Sequence, residues 1–305
     1  MRVGLTALAL ALAVCFAIPA WADSFSFSTG SPDGKLGALS RPAGSQGLET
    51  ETADDFVLTQ PTVISSATMH GLLIPAGTPV SSLTRVEVEI YHVFPLDSDT
   101  VRTPNVPTRT NSPSDVEIDT ATRDSGQSTL SFNATQISTF TVANTVINGI
   151  HNAPGGEGSA TGEQVGIDIT FNPPIFLPAG HYFFRPEAEV SGGNFLFLSA
   201  PRPITSGTPF PAGTTDLQAW IRNANLAPDW LRIGADIIGG VTFNMTFSLT
   251  GNTIPEAGTP GRANCHGKTV SAMAHGFGGI DASASTLGYS SVDALQGGIR
   301  VFCGQ

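Results

Sequence analysis

Apolar and polar residues alternate with a period of two along most of this chain. In LTRVEVEIYHVF, Val86, Val88 and Ile90 share one parity while Glu87, Glu89 and Tyr91 share the other. QVGIDITF repeats the pattern through Val165, Ile167, Ile169 and Phe171. In TFNMTFSLT, Phe243, Met245, Phe247 and Leu249 oppose Asn244, Thr246 and Ser248. Successive strand side chains point to opposite faces, so each run predicts a strand with one buried and one wet face, the habit of antiparallel sheets. Phe56–Thr59, Val63–Ile74, Ser138–Ile147, His181–Pro186, Asn194–Ser199 and Leu217–Arg222 are further strand candidates. Pro and Gly separate them, as at Pro178-Ala179-Gly180. Roughly ten strands without an intervening helical pattern predict an antiparallel β-sandwich of jelly-roll type.

The period changes after Thr253. IPEAGTPGRA reads as a linker, and Val270, Met273 and Phe277 then follow helical spacing, as do Val292, Leu295, Ile299 and Phe302. Gly278-Gly279 ends the first predicted helix and Ser290 or Ser291 caps the last. A short middle helix runs from Asp281 towards Gly288. The predicted organisation is a signal peptide over 1–22, a sandwich over 23–252, a linker over 253–263 and a helical module over 264–305. Two segments interrupt the sandwich. One is the Pro-rich, acidic excursion Leu96–Gly126, of a length usually functional or mobile; the other is the Gly-rich NAPGGEGSATGE.

The first 22 residues carry Arg2, an apolar core over Leu5–Ile18 and an Ala20-Trp21-Ala22 cleavage pattern, the parts of a secretory signal. A signal anchor is the alternative, but the apolar run is short for a span of about 20 residues. Cleavage before Asp23 removes Cys15 and leaves no later transmembrane segment, so the expected location is secreted or periplasmic. Cys265 and Cys303 remain, and an even count in an exported chain reads as one disulfide. Closing that loop contributes roughly 4 kcal/mol in the chain-entropy model, a large share of the stability of so small a module.

Composition narrows the partners. A net charge of −11 with scarce lysine argues against nucleic-acid or anionic-membrane binding by electrostatics. With 40% hydrophobic residues, 34 Gly and 22 Pro, the chain is turn-rich rather than disordered.

Three stretches resemble a loosely defined group of exported bacterial β-sandwich proteins. ETADDFVLT matches its A-D-D-F strand start, LPAGHYFF its L-x-A-G-x-Y strand, and FNMTFSLTG its F-x-L-x-G finish. The resemblance covers about residues 30–251, without the C-terminal sorting anchor many members carry. The tail NCHGKTVSAMAHGFGG…LGYSSVDALQGGIRVFC resembles a Cys-bounded helical tail of other exported bacterial proteins. Both imply fold and compartment; neither implies an activity or a site residue.

Candidate chemistry is sparse. G-x-S-x-G, H-E-x-x-H and G-x-x-x-x-G-K-[ST] are absent, and GGEGSATG misses the dinucleotide spacing. Asp54/Asp55, Asp97/Asp99 and Asp115/Glu117/Asp119 place carboxylates at the short spacings that Ca²⁺ uses, against the simpler reading of a solvated acidic surface. Adjacent Asp54 and Asp55 are poor partners for acid/base work, because neighbouring strand residues face opposite ways. Cys265, His266, His275 and Cys303 match no usual zinc spacing, so the disulfide is preferred. Trp220 and Trp230 could stack on sugar faces, although packing a loop onto the sheet is the default use of such rings. The expected function is a non-catalytic exported β-sandwich that binds a glycan or a cell-surface protein. The alternative is a secreted carbohydrate-active hydrolase using a carboxylate pair.

Overall fold

A computed structural model describes residues 23–44, 47–102, 109–148, 150 and 155–305. The predicted signal peptide and residues 103–108 of the acidic excursion lie outside the described residues, as do His151 and its neighbours up to residue 154.

Among the described residues fifteen strands precede three helices: β1 Ser24–Ser28, β2 Leu36–Leu39, β3 Thr50–Leu58, β4 Thr62–Ile74, β5 Leu83–His92, β6 Arg123–Asp124, β7 Leu130–Val142 and β8 Asn144–Val146. They continue with β9 Ala160–Leu177, β10 Gly180–Val190, β11 Asn194–Ala200, β12 Trp220–Asn223, β13 Leu231–Arg232, β14 Asn244–Met245 and β15 Phe247–Thr253. Then come α1 Cys265–Phe277, α2 Ile280–Leu287 and α3 Val292–Phe302.

They form two sheets. In the first, β4 pairs with β9 along one edge; its other edge is shared by β15 and β11, which lead to β1 and to β2 and β8. Neighbours pair antiparallel except β2 and β8. The second sheet has the order β13-β12-β3-β10-β5-β6 and is antiparallel throughout.

The sheets pack face to face as an antiparallel β-sandwich. Val86, Val88 and Ile90 of β5 and Phe184 of β10 meet Met69, Ile167 and Phe247 of the opposite sheet in one core. Phe184 stacks on Phe247 with ring centroids 4.9 Å apart, and Phe56 meets Phe247 edge-on at 6.5 Å. The alternation therefore sorted the inward residues correctly. Strand ends are longer than the pattern indicated: β3 begins at Thr50, within the polar run TETADD, because each of those residues is buried between β10 and β12.

The helical module closes through Cys265–Cys303, whose Cα atoms lie 5.7 Å apart. Gly278 takes φ of 78° at the end of α1, and Ser291 caps α3 by accepting from the Ala294 N–H at 3.1 Å. Met273, Leu287, Leu295, Ile299 and Phe302 build a core that also takes in Val63 and Phe176 of the sandwich. Phe302 stacks on Phe176 at 3.9 Å. The module is thus seated on the outer face of the first sheet rather than tethered beside it. Among the described residues no helix is long and apolar enough to cross a membrane.

Candidate ligand-binding site

The outer face of the second sheet holds what a polar surface would not. Parity sends Glu51, Ala53 and Asp55 of β3 outward with Glu87, Glu89 and Tyr91 of β5. His181, Phe183, Arg185 and Glu187 of β10 and Trp220 and Arg222 of β12 join them. Segments following β5 and β12 cover this face, so most of these side chains are buried.

At one end lies an ionic network. Arg185 contacts Glu51 at 2.6 Å, Glu89 at 3.2 Å and Glu187 at 3.0 Å, and Arg222 pairs with Glu51. The Tyr91 hydroxyl sits 2.5 Å from Glu89 Oε2 and accepts from Arg222 Nη2 at 2.9 Å. Burial pushes Glu51 upwards, but Arg185 and Arg222 outweigh it and hold the carboxyl at about 2. Burial dominates at Glu89 and lifts it to about 7. Glu187 is also raised by burial. The register explains the arrangement: Arg185 lies opposite Glu89, and Arg222 opposite Glu51.

Beside it sit the two tryptophans. Trp230 packs edge-on against Tyr91 at 5.4 Å, carries the Arg222 guanidinium over its ring at 4.3 Å, and donates its N–H to Ser114 O at 3.1 Å. Both indoles are 2% exposed. Neither ring face lies open: Trp230 anchors a covering segment to the sheet through Ser114, and Trp220 packs in the same cluster from β12.

Trp220 keeps a second relationship. It lines a cleft of about 350 Å³ with Arg202, Asp216, Leu217, Gln218 and Arg232. Arg202 Nη1 donates to Asp216 at 3.1 Å and to Asn244 at 2.7 Å, while Arg232 is paired with Asp236 at 2.6 Å. The Trp220 Nε1–H and Gln218 Oε1 are buried without hydrogen-bond partners. A buried unmet donor or acceptor costs about 1–3 kcal/mol.

Asp55 lies behind this cleft. Its Oδ2 accepts from the Leu217 N–H at 3.1 Å and meets His181 Nε2 at 2.5 Å, while its Oδ1 has no partner. Burial raises the Asp55 carboxyl, and burial lowers His181 to about 4. Burial thus works against the charged form of each. Asp54 faces the core and accepts from the Met245 N–H at 2.7 Å. It is raised first by burial and then by the Asp55 charge.

The remaining candidate calcium ligands do not converge. Asp97 pairs with His92. Asp99 Oδ1 accepts from the Val101 and Arg102 backbone at 2.9 and 3.1 Å. Asp115 is taken by Arg109 at 3.2 Å and by the Asp99 N–H at 2.9 Å. Glu117 and Asp119 lie further along the same segment, with Asp119 opening a short 3₁₀ turn. Among the described residues no group of three or more His, Cys, Asp or Glu side chains is placed to hold a metal ion.

Comparison of the chain with family models, curated proteins and solved structures returns no match.

Sequence reasoning missed Arg202, Asp216, Gln218 and Arg232 as a set, since only the fold gathers them at one cleft, and it read His181 as a dispersed, hydrogen-bonded structural histidine. It also passed over Arg185 and left Glu187 without a partner. Their signal was present: in HYFFRPEAEV they sit at alternate positions of a strand whose other face is apolar.

Proposed function

We propose that this chain is an exported, non-catalytic binding protein whose ligand is a glycan, held in the cleft between Arg202, Asp216, Gln218 and Trp220. The observation that carries this reading is the pair of unmet groups, Trp220 Nε1–H and Gln218 Oε1, on residues that line one cleft. A sugar hydroxyl both donates and accepts, so its chemistry matches both needs. The charged rim and the threonines Thr215 and Thr242 suit a polyhydroxylated ligand better than an apolar one. Export is supported by the Cys265–Cys303 disulfide, since such bonds persist in oxidising compartments. The resemblance to exported bacterial β-sandwich proteins points the same way.

The test is a glycan array probed with the chain beginning at Asp23. Binding is expected, weakened about tenfold by Gln218→Leu, a loss of ~1.4 kcal/mol. Undiminished binding by that variant removes the cleft from the account.

One observation favours a hydrolase instead. Asp55, raised by burial, lies within electrostatic reach of Asp216 at the cleft, so two carboxyls in different environments stand near one another. Hydrolysis of the bound glycan, abolished in Asp216→Asn, would replace the binding-only reading.

A further inference from the structure

A second cleft, of about 420 Å³, opens where α3 crosses the Pro173–Phe176 stretch of β9. Two polar groups at it are incompletely satisfied. Arg123 is buried, and its guanidinium donates only to carbonyl oxygens: Nε to Pro173 at 2.6 Å, Nη1 to Thr120 at 3.0 Å and Thr122 at 2.8 Å, and Nη2 to Pro174 at 3.1 Å. A guanidinium has five N–H donors, so one on Nη2 remains unused. Among the described residues no carboxylate forms an ion pair with Arg123. Asp119 sits at the rim without reaching it. A buried cation without a counter-charge is costly.

The second group is Tyr289. The residue is 6% exposed and its hydroxyl has no hydrogen-bond partner. Burial pushes the phenol up to about 12, with the Arg123 charge acting in the opposite direction, which places the two groups within electrostatic reach. The surrounding walls are apolar: Pro173, Pro174, Phe176 and the bare helix face at Gly297 and Gly298. Gly298 must stay bare, since a Cβ there would lie 2.6 Å from the Tyr289 hydroxyl.

We infer that this cleft binds a small amphipathic monocarboxylate, whose head accepts from the Tyr289 O–H and the spare Arg123 N–H while its tail lies along Pro173, Phe176 and Gly297. The cavity volume falls within the range of small-molecule sites, roughly 300–1,000 Å³. Asp119 at the rim disfavours a second negative charge, so a diacid is rejected. This site is separate from the Trp220 cleft and does not depend on the glycan reading.

The experiment is isothermal titration of the chain from Asp23 with octanoate, octanol and octanedioate. It is repeated on Tyr289→Phe and on Val301→Glu, which places a charge at an exposed lining position. Octanoate should bind saturably, about tenfold tighter than octanol or octanedioate, with losses of about fivefold in Tyr289→Phe and tenfold in Val301→Glu. Thermal unfolding of both variants should stay within about 4 °C of the parent. Absence of saturable binding up to about 5 mM, equal affinity for octanol, or unchanged affinity in a folded Val301→Glu variant overturns the proposal.

Discussion

Asp54 and Asp55 are neighbours in the chain yet serve opposite faces of one sheet. Asp54 takes the Met245 N–H at 2.7 Å inside the core, and Asp55 takes the Leu217 N–H at 3.1 Å on the outer side. Each carboxyl ties β3 to a segment it does not pair with. Asp54→Ala strands the Met245 N–H and should cost about 1–3 kcal/mol in urea unfolding. Asp54→Asn keeps an acceptor and removes a carboxyl raised by burial. A raised carboxyl stabilises the fold while protonated and loses that contribution as pH climbs above its ordinary value of 3.8. Asp54→Asn should therefore gain on the parent as pH climbs above 3.8.

The Arg185 network gives two pH signatures of opposite sign. Glu51 is held at about 2, so its contribution is full above its ordinary 4.5 and is lost as pH falls towards 2. Glu89 is raised to about 7, so its contribution is present below 4.5 and disappears as pH rises through 7. Glu89→Gln should flatten the stability profile between pH 4.5 and 7, removing a change of at most about 3 kcal/mol. Glu51→Gln should be strongly destabilising at pH 7, on the order of 3 kcal/mol, because it leaves Arg185 and Arg222 under-compensated. Chemical denaturation across pH measures both, and a Glu89→Gln profile matching the parent counts against the assignment.

Reduction of Cys265–Cys303 should loosen α1 to α3 before the sandwich. The constraint contributes roughly 4 kcal/mol in the chain-entropy model. Hydrogen exchange should show protection falling over residues 265–303 while β4, β5 and β10 keep theirs. Part of α3 should resist, because Phe302 remains stacked on Phe176.

Calcium should leave the melting temperature unchanged between excess Ca²⁺ and chelator. A ligand of the native state must raise it by mass action. Asp97 and Asp115, two of the acidic side chains spaced for calcium, already have partners in the His92 ring and the Arg109 guanidinium. A clear rise would show that the acidic segment binds the ion regardless.

The architecture was legible because a period of two and a period of 3.6 are written directly into Val86–Ile90 and Leu295–Phe302. The site was not, for a physical reason. Arg202, Asp216 and Gln218 belong to or border an irregular connection between β11 and β12, whose polar residues read as ordinary loop. Only the fold sets them against Trp220. Trp220 was visible as an aromatic in a polar stretch, but sequence carries no signal for which face of an indole is covered. The acidic excursion is ambiguous for a related reason: carboxylates spaced for calcium, such as Asp115, are equally spaced for arginines that arrive from elsewhere in the loop.

The most direct test uses the two indole N–H signals of the chain from Asp23. Trp230 donates to Ser114 O, whereas the Trp220 N–H has no partner. In a ¹⁵N-labelled sample titrated with a glycan identified by the array, the Trp220 indole resonance should move while that of Trp230 stays in place. A saturable complex that leaves the Trp220 resonance unmoved contradicts a ligand bound in this cleft.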